Sequence, residues 1–157
     1  MKTRKVVLVA GIVATFVMMA CDVYDDGVPS KSVRNEFKAM YSGARDIEWE
    51  REGLNWSVSY EMGTFPNVVE YESLYDRNGK WIMTENDVPL SAVPENIKGF
   101  LAASKEYGSL ELDDNEVEYY QTPDGNFYRF DLVRAGRDID VDVSENGTVS
   151  LAKRGWF

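Results

Sequence analysis

The residues of this chain that could carry chemistry are many carboxylates and one cysteine. The 157-residue sequence contains 27 Asp and Glu, a single cysteine at position 21 and no histidine. Without an imidazole, catalytic triads built on a histidine base and the commonest zinc ligand sets cannot form. No Gly-rich phosphate-binding loop or dinucleotide-binding fingerprint occurs. Paired carboxylates could support glycoside hydrolysis only in a pocket that raises one pKa, so we predict a non-enzyme without a cofactor.

Cys21 follows a segment with the features of a secretory signal. Basic residues lie within 1–5, an apolar run covers 6–19, and the small Ala20 precedes Cys21. The string Met18-Met19-Ala20-Cys21 resembles the bacterial lipobox, in which the cysteine becomes the lipid-modified N-terminus. We therefore predict a signal peptide over 1–20, lipidation at Cys21, and export to the periplasmic or cell-surface face of the outer membrane. An ordinary signal peptide that ends near a cysteine is the alternative.

The charge of the mature chain limits its partners. Removal of residues 1–20 takes away three basic residues and changes the net charge from −10 to −13. A body of this charge is repelled by nucleic acid and by anionic membrane surfaces. We expect no nucleic-acid partner, and attachment to the membrane through the lipid on Cys21. Residues 21–27, which include Asp22, Asp25 and Asp26, are predicted to form an acidic tether.

Two stretches of the chain share one order of patterns, which indicates an internal repeat. Val28-Pro29 and Val93-Pro94 each precede apolar residues at helical spacing, and proline is typical of the first turn of a helix. Alternating, strand-like segments follow in both stretches. They are divided by turn signals at Glu52-Gly53, Asn78-Gly79, Asp124-Gly125 and Asn146-Gly147.

These patterns predict an α+β protein made of a tandem repeat of two αββββ units. The first unit is predicted over 28–85, the second over 93–157, and a connector that contains Pro89 over 86–92. The tail Trp156-Phe157 is predicted either to close the sheet edge or to act as a recognition segment.

Alternation along the strands assigns their side chains to two faces. Ile139, Val141 and Val143 alternate with aspartates, so one face should pack on helices and the other should face water. The water-facing side is expected to be strongly negative. Its predicted members are Glu48, Glu50, Glu61, Glu70, Glu72, Glu116, Glu118, Asp138, Asp140 and Asp142.

The same alternation places two aromatic rings among these charges. Tyr120 and Phe127 would be natural anchors for a protein or peptide. The predicted partner-binding residues are Tyr120, Phe127, Arg129, Glu70, Glu72, Asp138, Asp140 and Asp142. Calcium needs six to eight converging oxygens, which a flat strand such as Asp138–Asp142 does not supply, so no metal site is predicted.

Several paired strings carry a resemblance to a known family. Val28-Pro29 and Ile47-Glu-Trp49 recur as Val93-Pro94 and Val117-Glu-Tyr119, and Asn-Gly hairpin strings recur over 76–81 and 144–149. With the lipobox, they resemble the beta-lactamase-inhibitor-like, PepSY-like lipoproteins of Gram-negative gut commensals. The resemblance implies that the two αββββ units form one curved antiparallel sheet with both helices on one face.

Together, these features predict a non-catalytic, envelope-anchored lipoprotein. Its open sheet face would bind an envelope or secreted protein or peptide, with inhibition as one form of that binding. A structural or spacer lipoprotein with no discrete ligand is the alternative, and a cation or solute sensor is a weaker one.

Overall fold

The computed structural model of the protein describes residues 27–153. The predicted signal peptide, Cys21, nearly all of the predicted tether and the Trp156-Phe157 tail lie outside these residues. The elements in chain order are α1 (Lys31–Met40), β1 (Arg45–Glu52), β2 (Asn55–Thr64), β3 (Asn67–Tyr75), β4 (Trp81–Pro89), a 3-10 turn (Leu90–Ala92), α2 (Glu95–Ala103), β5 (Glu111–Leu112), β6 (Glu116–Gln121), β7 (Phe127–Arg134), β8 (Arg137–Ser144) and β9 (Val149–Leu151).

The strands form one antiparallel sheet in the order β1-β2-β3-β4-β6-β7-β8-β9. The short strand β5 pairs with β7 at Leu132 and Val133, beyond the part of β7 that pairs with β6. A mostly antiparallel sheet with two helices confirms the predicted α+β class. No helix among the described residues is long and apolar enough to cross a bilayer.

The segment predicted as a connector, 86–92, is divided between two elements. Residues 86–89 continue β4 and pair with β6, with Val88 opposite Val117 and Pro89 opposite Glu116. Proline is tolerated there because it ends the strand, where its missing N–H breaks no ladder. Only Leu90–Ala92 leaves the sheet, so β4 and β6 join the two halves directly.

The first hydrophobic core lies between α1 and the first strands. Val33 and Phe37 of α1 pack against Trp56, Val58 and Tyr60 of β2. Phe37 is 3% exposed, and its ring centroid lies 4.9 Å from that of Tyr60 in an edge-to-face arrangement. Such aromatic pairs add to the stabilisation that area burial provides.

A hydroxyl network crosses this core without any charge. Thr84 Oγ1 lies 2.6 Å from the hydroxyl of Tyr41 and 2.6 Å from that of Ser73, and it accepts a 2.9 Å hydrogen bond from Trp81 Nε1. Ser73 in turn lies 3.1 Å from the hydroxyl of Tyr60. Burial raises the pKa of Tyr60, so the ring stays neutral. No buried side-chain polar atom of the described residues lacks a partner.

The second core lies beneath α2. Ile97 of α2 packs with Phe130 and Leu132 of β7 and with Val141 and Val143 of β8. Val141 and Val143 are fully buried, whereas Asp138 and Asp140, which alternate with the apolar residues of β8, are exposed. The alternation predicted for β8 is therefore observed.

The β3–β4 turn shows how local sequence fixes a hairpin. Asp76 Oδ1 accepts backbone hydrogen bonds from Asn78 at 2.8 Å and from Lys80 at 2.9 Å. Gly79 adopts φ +95°, a conformation that glycine reaches without steric cost. Burial opposes ionisation of Asp76, but its hydrogen bonds with Lys80, Asn78 and Gly79 together outweigh that effect and lower the pKa of this carboxyl.

Candidate functional site

One face of the sheet carries carboxylates across seven neighbouring strands, from β1 to β8. Directly opposed residues in a sheet share a face, and the observed pairs include Glu61–Glu70, Glu72–Glu85, Asp87–Glu118 and Asp131–Asp140. We call this surface the acidic face, which comprises Glu48, Glu50, Glu61, Glu70, Glu72, Glu85, Asp87, Glu116, Glu118, Tyr120, Phe127, Arg129, Asp131, Asp138, Asp140 and Asp142. These residues alternate with the core residues of the same strands.

Four of the predicted binding residues meet at one place on the acidic face. Tyr120 and Phe127 are cross-strand partners whose rings stack with centroids 4.8 Å apart and planes 10° apart. The guanidinium carbon of Arg129 lies 4.6 Å from the Tyr120 centroid and 5.7 Å from the Phe127 centroid. Asp142, opposite Arg129 on β8, completes the group. We call Tyr120, Phe127, Arg129, Asp142 and the adjoining Glu118 the Arg129 cluster.

Hydrogen bonds hold the guanidinium rigidly within this cluster. Arg129 Nε and Nη2 donate to the two carboxylate oxygens of Asp142 at 2.8 and 3.2 Å, a bidentate arrangement. Arg129 Nη1 donates to the Tyr120 hydroxyl at 3.2 Å, and that hydroxyl donates to Glu118 Oε2 at 2.7 Å. Burial acts to lower the pKa of Arg129, but the hydrogen bonds and charge of Asp142 outweigh it and raise that pKa.

Beneath the two rings lies a small apolar cluster. Leu74 is fully buried, and Met83 and Tyr120 are each 4% exposed. Tyr120 is therefore on the predicted face but is covered rather than presented to solvent, while Phe127 is half-buried. The cause is Leu74 opposite Met83, since this apolar pair on the acidic face must be shielded from water by neighbouring rings.

The other predicted binding residues lie apart from the Arg129 cluster. Glu70 is exposed on β3, and Glu72 is half-buried and accepts a 2.5 Å hydrogen bond from Ser57 Oγ. Asp138 and Asp140 lie on β8, four strand spacings away from β3, which is roughly 19 Å. The structure places all eight predicted residues on one face but brings only Tyr120, Phe127, Arg129 and Asp142 together.

Glu85 is a residue of this face that the sequence patterns did not reveal. Burial raises the pKa of its carboxyl, a hydrogen bond with the Tyr120 side chain acts to lower it, and the charges of Glu118 and Glu72 raise it, so that the pKa stays above its usual value. Burial likewise raises the pKa of Asp131, with the charge of Asp140 adding to the effect. The centre of the acidic face is therefore negative and partly desolvated. The sequence patterns predicted a connector over 86–92. They therefore did not assign Glu85, the residue just before that segment, to either face of the sheet.

A second unpredicted feature is an exposed aromatic residue at the β2–β3 turn. Phe65 is 92% exposed, and Val68 and Val69 beyond the turn are each more than a third exposed. The available signal was an aromatic residue between Gly63 and Pro66, two turn-forming residues.

The acidic face is open and combines charged with aromatic side chains. No group of three potential metal ligands occurs among the residues that the structure describes. An open groove beside the Arg129 cluster is lined by Phe127, Arg129, Asp142, Ser150, Leu151 and Lys153. An open sheet with charged and aromatic groups provides contact area.

These features define a class of protein: an antiparallel sheet scaffold with one face left open and charged. Residues 59–150, more than half of the chain, match the family described as "Putative beta-lactamase-inhibitor-like, PepSY-like", and the chain belongs to that family. The family predicted from the paired strings is thereby confirmed. No protein of curated function is significantly similar to the chain.

Several solved structures share the fold. A BLIP-like protein from Bacteroides fragilis is 23% identical, with a TM-score of 0.66 over 83% of this chain and 93% of that one. A structure named as putative periplasmic proteins from Bacteroides eggerthii is 19% identical, with a TM-score of 0.62 over 78% and 86%. A DUF2874 family protein from Bacteroides ovatus is 14% identical, with a TM-score of 0.64 over 79% and 88%.

Proposed function

We propose that the protein is an exported, non-catalytic binding module, anchored by lipid on Cys21, that holds a protein or peptide against its acidic face. Membership of the beta-lactamase-inhibitor-like, PepSY-like family supports a role in binding. The signal-like segment before Cys21 and the periplasmic description of one solved relative support export.

The observation that carries this proposal is a set of like-charged carboxylate pairs, none of them in a salt bridge among the described residues, at the centre of the acidic face. Glu72–Glu85, Asp87–Glu118 and Asp131–Asp140 are like-charged pairs directly opposite one another. Within the described part of the chain, no lysine or arginine nitrogen lies within 4.0 Å of these six carboxylates. Like charges in this position destabilise a sheet, and departures of this kind are expected where a surface serves binding.

The Arg129 cluster supplies the other property that a binding surface needs. Its guanidinium is fixed by Asp142 and Tyr120, and the Arg129 side chain is 14% exposed. A platform that is rigid before binding loses little conformational entropy when a partner docks. Half-buried Phe127 and the adjoining groove give that platform an apolar edge.

Site-specific photocrosslinking in the native cell tests this proposal. A benzophenone amino acid replaces exposed Asp140 on the acidic face, and the matched control replaces exposed Leu54 in the β1–β2 turn. We expect one discrete adduct from position 140, identified by mass spectrometry, and none from position 54. The adduct should weaken in the Glu72→Gln/Asp131→Asn background, which removes one charge from two of the like-charged pairs.

Two results would count against this assignment. The absence of any adduct from position 140 would favour a spacer lipoprotein with no discrete ligand. Equal adducts from positions 140 and 54 would show contact with the surroundings that is not selective for the acidic face.

The anchor is tested separately. Mass spectrometry of the N-terminal peptide of the mature protein should find acylated Cys21 as the first residue, and Cys21→Ser should move the protein from the membrane to the soluble fraction. A mature chain that begins elsewhere, without lipid, would contradict the lipid anchor while leaving the binding proposal open.

We also propose that the two halves are copies of one αββββ unit whose helices cover the same side of the sheet. Strand β4 supports the second point, because Thr84 bonds Tyr41 beside α1 and Val88 packs in the core of α2. Residues four apart on a strand face the same way. A crystal structure in which the two helices lie on opposite sides would refute this arrangement.

A further inference from the structure

The outer side of α1 carries a row of basic residues. Lys31, Arg34 and Lys38 are spaced at i, i+3 and i+7, which places them along one side of the helix. All three are exposed, whereas Val33 and Phe37 face the core. We call these three residues the basic stripe. In a mature chain of net charge −13, it is a local concentration of positive charge.

The basic stripe has no internal counterpart. None of its three cations lies within 4.0 Å of a carboxylate of the described residues, and Glu36 is the only acidic residue of α1. In α2, by contrast, Lys98 is paired with Glu95 at 2.6 Å. The charge of α1 is therefore available to a partner outside the molecule, and that of Lys98 is already engaged.

The position of α1 in the chain indicates which partner is within reach. It is the first element after the proposed anchor, with only nine residues between Cys21 and Lys31. A fully extended segment of that length spans at most roughly 35 Å, and a less extended one brings α1 closer to the bilayer. The stripe itself is about 10 Å long, seven residues at the helical rise.

The net charge of the body does not prevent such an approach. Phe37 of α1 packs against Val58 and Tyr60 on the core side of β2, and the acidic-face residues of β2 lie on the opposite side of the sheet. The helix, about 10 Å in diameter, therefore separates the stripe from those carboxylates. The Debye length at physiological ionic strength is about 8 Å, so the far charges are largely screened at the outer side of α1.

We propose that α1 lies against a bilayer with anionic phospholipid headgroups, so that the basic stripe contacts phosphates and the acidic face is directed away from the membrane. This inference rests on the proposed lipid anchor. The anchor keeps α1 near the surface, and each basic residue shifts the docked-to-undocked ratio about fivefold, or about a hundredfold for three.

Vesicle tethering tests the orientation without relying on processing of Cys21. Residues 22–157, which lack Cys21, contain no cysteine, so an introduced cysteine is the only thiol of this shortened chain. An N-terminal hexahistidine tag holds it on vesicles with nickel-chelating lipid, made with phosphatidylcholine alone or with added phosphatidylglycerol. An environment-sensitive fluorophore is placed at Asn35→Cys in α1 or at Asp140→Cys on the acidic face, since both positions are exposed.

We expect the Asn35 label to brighten and shift to the blue only on phosphatidylglycerol vesicles, and the Asp140 label to respond on neither. Lys31→Glu/Arg34→Glu/Lys38→Glu should abolish the response. The matched control, Lys105→Glu/Arg137→Glu/Lys153→Glu, makes the same change in net charge at exposed positions elsewhere and should retain it.

An equal loss in both triple variants would overturn the inference, since bulk charge would then govern the contact. A response of the Asp140 label would overturn the orientation. Failure of either kind is distinct from failure of the anchor, which the N-terminal peptide of the cellular protein reports.

Discussion

Two adjacent residue pairs on β3 and β4 show how differently the two sides of the sheet treat polar groups. Ser73–Thr84 and Glu72–Glu85 are neighbouring cross-strand pairs that face opposite ways. The Ser73–Thr84 pair is buried and closed, since its hydroxyls bond each other, Tyr41, Tyr60 and Trp81. The Glu72–Glu85 pair sets two carboxylates against each other.

The buried hydroxyls help to determine the fold, whereas the opposed carboxylates remain available to interact with a partner. Neutral hydroxyls that satisfy one another can be buried at little cost and specify a single arrangement of the core. Carboxylates opposed across a strand pair gain nothing from each other, and a cationic partner would improve their energy. Stability should therefore depend on the core side, and the acidic face should tolerate or even benefit from loss of charge.

The largest expected effect is on the core side. Phe37→Ala should lower the free energy of unfolding by about 3–5 kcal/mol, because it removes a buried ring from the centre of the α1 core. The ring packs within 6.3 Å, between centroids, of Tyr41, Trp49, Tyr60 and Tyr75. Chemical denaturation followed by tryptophan fluorescence measures the change. Phe65→Ala, the same substitution at a 92% exposed position, should change stability by less than about 0.5 kcal/mol; equal losses would contradict the assigned core.

Arg129 is the exception on the acidic face, since its charge is paired and largely buried. Arg129→Met should cost about 2–4 kcal/mol, because half-buried Asp142 loses its bidentate partner and the Tyr120 hydroxyl loses a donor. Arg129→Met/Asp142→Asn should recover part of that loss, which a double-mutant cycle measures. Arg45→Met breaks a half-exposed 3.9 Å contact with Glu61 and should cost less than about 1 kcal/mol. Similar losses of stability for Arg129→Met and Arg45→Met would contradict the expectation that the buried ion pair contributes more than the exposed one.

The sequence was informative wherever one residue type alternated cleanly. In β8, valines and aspartates alternate, and the structure buries Val141 and Val143 while exposing Asp138 and Asp140. The Asn-Gly and Asp-Gly signals likewise predicted turns that the structure contains, because glycine at positive φ is a local property. The α+β class followed from these local patterns.

The sequence was less informative where neighbours decide the environment. Alternation placed Tyr120 on the correct face, but its burial depends on Leu74 and Met83 of other strands. Residues 86–89 contain polar Asn86 and Asp87 followed by Val88 and Pro89, and that composition concealed a strand that pairs with β6. The pairing of Arg129 with Asp142 depends on cross-strand register, which no single strand encodes.

Thr84 tests whether the closed hydroxyl network contributes to stability. Thr84→Val keeps the side-chain volume but removes the oxygen shared by Tyr41, Ser73 and Trp81. We expect a loss of about 1–3 kcal/mol in the free energy of unfolding, because buried donors are left unpaired. Thr64→Val at an exposed strand end is the matched control and should be nearly neutral. A neutral Thr84→Val would mean that the remaining hydroxyls pair equally well without it.

The smallest effect should have the opposite sign, at Glu85. Burial and the charges of Glu118 and Glu72 raise the pKa of this carboxyl in the folded state above its ordinary value of 4.5. The folded protein therefore holds the proton more tightly than the unfolded chain, and stability falls as the pH rises from about 4.5 through the folded-state pKa. Glu85→Gln cannot ionise, so it should be more stable than the wild type at pH 7 by about 0.5–1 kcal/mol and should show a shallower decline with pH. Urea denaturation between pH 4.5 and 7.5 measures both, with Glu36→Gln on α1 as the control for loss of one charge. If Glu85→Gln were less stable at pH 7, the ionised carboxylate would have to be stabilised within the fold, and the contrast between the two sides of the sheet would not hold at its central pair.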